Sequence, residues 1–342
     1  MTTTRGLNSF ALTLVVLAIG SIAARNTHTR APVQLLNVSY DPTRELYAAL
    51  NPHFVKTFGH AHGVEVAVEQ SHGGSSRQAR SVISGALAAD VVTLGLSSDV
   101  EALRKRGFIK ADWASRLPNH SQPYYSTIVF VVRRGNPYAI RDWPDLVKAD
   151  VEIIVPDPKS SGNGKLAALA SWGSILANGG TDADAKAYLR QFYQHAPFLE
   201  AGARATSTAF AIEKRGDVNV AWENEALRQV AESKGELEIV YPPLSILAEP
   251  AVAWVDANVA KHKSQEAARA YLEYLFSDEA QEIIAQSGYR PFNPKVLERH
   301  AKRFPKLNLF RVTAVAKDWE DAQQKFFADN GIIDTVYKPK PR

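Results

Sequence analysis

Short apolar runs along this chain are followed repeatedly by stretches whose apolar residues recur every three or four positions. Leu35-Leu36-Asn37-Val38-Ser39-Tyr40 reads as a first strand. Leu46, Leu50, Phe54 and Phe58 then form a helical stripe that Gly59 is expected to end. Val64, Val66 and Val68 alternate as a second strand, and Gln78 to Leu87 predicts a second helix. Asp90 to Leu94 is a third strand, after which Ser97-Ser98-Asp99 caps a helix running to Arg106. Three strand–turn–helix units in succession predict a parallel sheet with helices on both faces.

The rhythm breaks at the polar, Pro-containing stretch Pro118 to Tyr125, which reads as a crossing between two lobes. It then resumes. Strands are expected at Ile128–Val132, Val151–Val155, Asp217–Trp222, Leu237–Tyr241 and Ala251–Val255. Helices are expected near Asp142–Val147 and at Leu166–Leu176, Asp182–His195 and Glu223–Ser233. Gln265 to Gln286 supplies one helix or two, and another lies near Asp318–Phe327. A chain of 342 residues is long enough for each of two lobes to bury its own core.

The first residues follow a different pattern. Arg5 precedes an apolar run from Phe10 to Ala18, extended by Ile19, Ile22, Ala23 and Ala24, before the chain turns polar. A short basic region, a brief apolar core and small residues at its end predict a signal peptide over residues 1–24 and an exported, periplasmic protein. Cysteine is absent, which excludes disulfides, thiolate metal sites and a lipid anchor on cysteine. The formal charge of +4 loses one unit with Arg5, and so small an excess argues against a nucleic-acid partner. Charged and hydrophobic fractions of 22% and 45% are ordinary for a globular protein, here expected to be a monomer.

Chemistry concentrates in the turns. Ser71–Ser76, Ser160–Gly164 and Gly202–Ser207 are Ser/Gly-rich and each precedes a helix, and Asp41-Pro42 makes a fourth strand-to-helix turn. Free N–H groups and the helix dipole suit such turns to an anion. The same residues also serve as ordinary caps, and spacing leaves both readings open. Asp157 to Lys165 is no phosphate-binding P-loop, because Lys159 stands where that motif needs glycine and Leu166 follows Lys165. Ser161 lacks the flanking glycines of a nucleophile elbow. His60 and His62 have no nearby third ligand, and Tyr193 stands where a calcium loop beginning at Asp182 needs glutamate. No catalytic residue, metal or cofactor is expected. Trp222, at a strand end, is either core or a donor, since its indole N–H cannot accept.

Taken together, several segments resemble the periplasmic sulfate-binding proteins of ABC sulfate/thiosulfate importers. They are Asn37 to Glu45, Gln70 to Ser75, Pro158 to Gly162, Gly202-Ala203-Arg204, Ala221 to Ala226 and Ile246 to Pro250. The resemblance runs from about Gln34 to about Asn330. It implies an α/β, two-lobed periplasmic binding fold of type II, each lobe a mainly parallel sheet flanked by helices, with the ligand between the lobes. The expected division is 33–115 plus 250–338 for lobe one and 116–249 for lobe two. The implied function is non-enzymatic capture of sulfate, with thiosulfate beside it, for delivery to an ABC transporter permease.

Carried over position by position, the resemblance implies that sulfate is held by the backbone N–H groups of Asp41, Ser75, Gly162, Asn163 and Ala203. The Ser75 hydroxyl and the Trp222 indole would add side-chain donors, with Ser161 beside the ligand and the arginines further out. The family commonly has Asn-Pro-Lys-Ser-Ser-Gly-Gly-Ala-Arg in the central loop. Asp157, Asn163, Gly164 and Lys165 differ here. Asp41 carries the one carboxylate that could accept a proton from phosphate, and it is expected to turn away and cap its own helix.

Overall fold

The computed structural model describes residues 32–337, so the expected signal peptide lies outside the described residues. In chain order its first lobe contributes β1 (Val33–Tyr40), α1 (Arg44–His62), β2 (Val66–Gly73), α2 (Ser75–Ile83), β3 (Val91–Leu94) and α3 (Ser97–Lys105). The second contributes β4 (Ile128–Arg133), β5 (Ile153–Pro156), α4 (Gly162–Ala177), α5 (Asp182–Gln194) and β6 (Leu199–Glu200). It continues with α6 (Ala203–Ser207), β7 (Val218–Trp222), α7 (Glu223–Glu232) and β8 (Leu237–Val240). The chain then returns through β9 (Ala251–Trp254), α8 (Asp256–His262), α9 (Gln265–Tyr274) and α10 (Asp278–Gln286).

The sheet of lobe one has the order β9-β3-β1-β2, and that of lobe two the order β6-β5-β7-β4-β8. The pairs β1–β2, β1–β3, β5–β6 and β5–β7 are parallel. The antiparallel strands, β4 and β9, are the ones by which the chain enters a lobe from the other. Between the lobes the two crossing segments lie side by side, with Ser126 and Ala248 exchanging backbone hydrogen bonds of 2.9 and 3.0 Å.

Local details refine the sequence reading. Helix α1 runs through Gly59 and stops at Gly63, which adopts φ +62° and donates to Gly59 O. Its stripe of Leu46, Leu50, Phe54 and Phe58 is buried together with Tyr47. The turn after β2 is shorter than expected: the strand extends to Gly73 and the helix begins at Ser75, leaving Gly74 alone between them. Asp99 is not the cap of α3; Leu96 occupies that position. Gln265–Gln286 is two helices, with the Ser277 hydroxyl capping the second.

The expected division places 250–338 wholly on lobe one, yet from Leu309 onward the chain packs on lobe two. Leu309–Phe310 pairs with Ser245–Ile246. The Phe310 ring lies against Gly173 of α4 so closely that a Cβ there would come within 2.2 Å of it. Phe326 meets Trp172 edge-on at 4.9 Å, and Tyr337 packs on Tyr193 at 5.5 Å. Apolar cover for α4 and α5 therefore comes from the end of the chain, and Lys105–Glu320 ties this segment back to lobe one.

Candidate functional site

At the seam between lobes, strand ends and helix starts from both sheets face one another. Tyr40 ends β1, and Asp41-Pro42-Thr43 forms one 3-10 turn, with proline fixing φ at its start. Opposite stands α4, whose 16 residues begin at Gly162 after the extended Ser161. Within its first turn only the Lys165 N–H finds an acceptor, Ser161 O at 3.1 Å, which leaves those of Gly162, Asn163 and Gly164 without an intrahelical partner. Helix α2 repeats the arrangement with Ser75, and α6 with Ala203 after the fully extended Gly202.

The lobes are in contact here, and glycine is what permits the approach. A Cβ on Gly74 of lobe one would come within 2.5 Å of the Ser160 carbonyl of lobe two. One on Gly162 would lie 3.4 Å from the Ser75 Cβ. Trp222, 1% exposed, packs its ring on Tyr40 at 5.4 Å between centroids, with Gly95 against both rings. Asp41, Ser75, Ser161, Gly162, Asn163, Ala203 and Trp222 thus come together along one seam, all buried.

Two side chains depart from expectation. The Asp41 carboxylate does not cap its own helix. Its Oδ2 accepts the backbone N–H of Arg204 at 3.1 Å, capping α6 of the other lobe, while Oδ1 accepts from Arg44 Nη2 at 3.0 Å. The reason is geometric: Asp41 lies inside the turn, past the cap position, and Gly202 opposite has no side chain to block it. The Ser75 hydroxyl is also occupied. It donates to Asp99 Oδ2 at 2.6 Å and accepts from the Gly95 N–H at 3.0 Å, so its single proton is committed to the Asp99 carboxylate. Ser161, by contrast, makes no side-chain hydrogen bond among the described residues, and neither does the Trp222 indole.

Charges surround the seam in pairs. Asp99, 4% exposed, also accepts from Ser76 at 2.8 Å and lies 3.7 Å from Lys165 Nζ of lobe two. Lys165 in turn donates to Gln323. Arg204 reaches Glu45 of lobe one at 2.6 Å and Glu225 at 3.5 Å. Burial works most strongly against the ionised Glu45, but the hydrogen bond from Arg204, a backbone hydrogen bond and the charges of Arg204 and Arg228 together outweigh it and hold the carboxyl below its ordinary range. Asp99–Lys165, Glu45–Arg204 and Asp41–Arg44 thus pair charges around the seam, while Arg80 donates across it to Lys159 O at 3.4 Å with no carboxylate partner among the described residues.

The roles that Asp99, Tyr40, Gly74, Gly95 and the Glu45–Arg204 pair take at the seam were not legible in the sequence. Ser97-Ser98-Asp99 carried a signal, since an acidic residue there reads first as a cap. No group of three or more His, Asp or Glu residues placed to hold a metal occurs among the described residues, and no described helix is long and apolar enough to cross a membrane. A surface hollow of about 850 Å³ lies away from the seam at the far end of lobe one, beside Phe58, Asp90 and His262.

Residues 38–290 match the family model described as bacterial extracellular solute-binding protein. The chain is 45% identical to a thiosulfate-binding protein of Pseudomonas aeruginosa over 95% of its own length and 97% of the relative's. It is 46% identical to a sulfate-binding protein of Escherichia coli over 94% and 97%. Among solved structures it superposes on the sulfate-binding protein of Mycobacterium tuberculosis with a TM-score of 0.77 and 28% identity, covering 86% of this chain and 99% of that one. A ferric binding protein from Campylobacter jejuni, 17% identical with a TM-score of 0.60, covers 88% and 99% and shares the two-lobed type II fold.

Proposed function

The chain belongs to the bacterial extracellular solute-binding proteins, and we propose that it captures sulfate, with thiosulfate as a second ligand, in the periplasm and delivers it to the membrane permease of an ABC importer. It acts by binding alone, as a monomer and without a cofactor. The relatives named for sulfate and thiosulfate support the ligand class. The observation that carries the reading at the residue level is the surplus of neutral donors at the seam.

The backbone N–H groups of Asp41, Ser75, Gly162, Asn163 and Ala203 and the Trp222 indole are the donors we assign to the anion. The Ser161 hydroxyl replaces that of Ser75, whose proton goes to Asp99. Burying a dianion is costly unless its oxygens are hydrogen-bonded. Bonds to a charged group contribute roughly 1.5–3 kcal/mol each, so this set offsets the desolvation without a counter-ion in direct contact. Helix N-termini add favourable potential. Sulfate carries no proton near neutral pH, whereas phosphate keeps one and needs an acceptor. A site of donors rejects it through the unpaired proton.

The bodies that close are lobe one, 33–115 with 250–308, and lobe two, 116–249 with the terminal segment from 309 packed on it. Sulfate between them links the N-termini of α2 and α4, and Glu45–Arg204 and Asp99–Lys165 close on either side. Native mass spectrometry of the refolded, anion-free chain tests the assignment. One sulfate per chain, lost in Trp222→Phe with Ser161→Ala, is expected; a chain that takes up no sulfate contradicts it.

A further inference from the structure

Asn163 stands in the middle of the anion loop, 1% exposed, and its carboxamide turns into the sheet, where Nδ2 donates to Val220 O at 3.0 Å. The sheet has a gap at that point. Strands β5 and β7 pair through Ile153–Val218 and Ile154–Asn219, after which β5 leaves to pair with β6 through Val155–Leu199 and Pro156–Glu200. The Asp157 N–H bonds to Glu200 O on the β6 side, so by the period of two the nitrogen of residue 156 faces β7. On β7, the Val218 N–H bonds to Glu152 O, so Val218 and Val220 turn their backbone groups toward β5. In a parallel ladder the donor for Val220 O is then residue 156. That residue is proline and has no N–H.

We propose that Asn163 is a positioning residue. Its carboxamide supplies the ladder donor that Pro156 lacks, and so fixes the register between the anion loop and the strand that ends, two residues further on, in Trp222. Val220 O can only accept, so it is the nitrogen end of the amide that faces it. Asn163 Oδ1 is buried with no partner among the described residues, so nothing else anchors the side chain. Gly164 completes the fit: the loop backs so closely on the end of β5 that a Cβ there would come within 2.3 Å of Pro156 O. A glycine at 163 would keep the backbone N–H but leave Val220 O without a donor.

This inference rests on the oxyanion reading of the seam, and calorimetric sulfate titration of four proteins separates the two. The wild-type chain, Asn163→Ala, Trp222→Phe and the double variant form a cycle. Asn163→Ala is expected to weaken sulfate about tenfold in the wild-type background and no more than about threefold beside Trp222→Phe, because one of the groups it aligns is then gone. Losses that multiply fully in the double variant, or an unchanged affinity in Asn163→Ala, overturn the proposal. Should the variants not fold, NMR of the wild-type chain decides. A through-hydrogen-bond coupling between Asn163 Nδ2 and the Val220 carbonyl supports the tether, and its absence overturns it. A wild-type chain that binds no sulfate removes the reading of the ligand instead, and the same coupling then judges the tether alone.

Discussion

Ser75 Oγ and Asp99 Oδ2 lie 2.6 Å apart inside lobe one, so the serine nearest the start of α2 gives its proton to a buried carboxylate. Ser75 and Ser161 then have different roles that alanine substitution separates. Ser161→Ala should weaken sulfate by roughly 1–3 kcal/mol with little effect on the melting temperature. Ser75→Ala keeps its backbone donor but takes a partner from Asp99, so it should lower unfolding stability by roughly 1–3 kcal/mol and affect affinity less than Ser161→Ala does. Thermal denaturation beside calorimetry reads both quantities, and the reverse ranking would return the side-chain role to Ser75.

Asp41 is the acceptor that could admit phosphate, but both its oxygens already serve Arg44 and the Arg204 N–H. Phosphate competition against sulfate at pH 6 and pH 8 is expected to be weak in the wild type and no stronger in Asp41→Asn. Tight phosphate binding that disappears in Asp41→Asn would show the carboxylate holding the phosphate proton.

Glu45 and Arg204 join the lobes at 2.6 Å with the carboxylate half exposed. An exposed pair is worth less than about 1 kcal/mol and is screened by salt. Glu45→Gln should therefore weaken sulfate about two- to fivefold at low ionic strength and have a smaller effect at high ionic strength. An effect independent of salt would argue for a packing role instead.

Burial, and after it the Arg44 charge, holds the His72 imidazole below its ordinary range. The unfolded chain takes up a proton there near the ordinary value, about 6.5, while the folded chain still resists it. The stability this group contributes is full above that range and is lost as pH falls through it. Urea denaturation at pH 7.5 and 5.5 should show a drop that His72→Gln reduces; an equal drop in both proteins would place the titration elsewhere.

Strands and helices were legible because their apolar periods are strong, as in Leu46, Leu50, Phe54 and Phe58. What periodicity could not read was long-range. Asp99 looks like a local cap until α2 is brought beside it, and Asp41 caps a helix of the other lobe more than 150 positions away. The packing of Phe310 and Phe326 on lobe two was equally hidden, since an amphipathic end of chain does not declare which face it covers. Within the site, the backbone donors could be read as helix starts. The choice between the hydroxyls of Ser75 and Ser161 needed the position of a third residue.

Calorimetric titration of the refolded, anion-free chain near neutral pH with sulfate, thiosulfate, molybdate and phosphate tests the central claim most directly. The donor-lined seam predicts saturable binding of one sulfate with a Kd well below about 100 µM, and phosphate far weaker. A chain that leaves sulfate unbound at that concentration, or that prefers phosphate to it, would contradict the account.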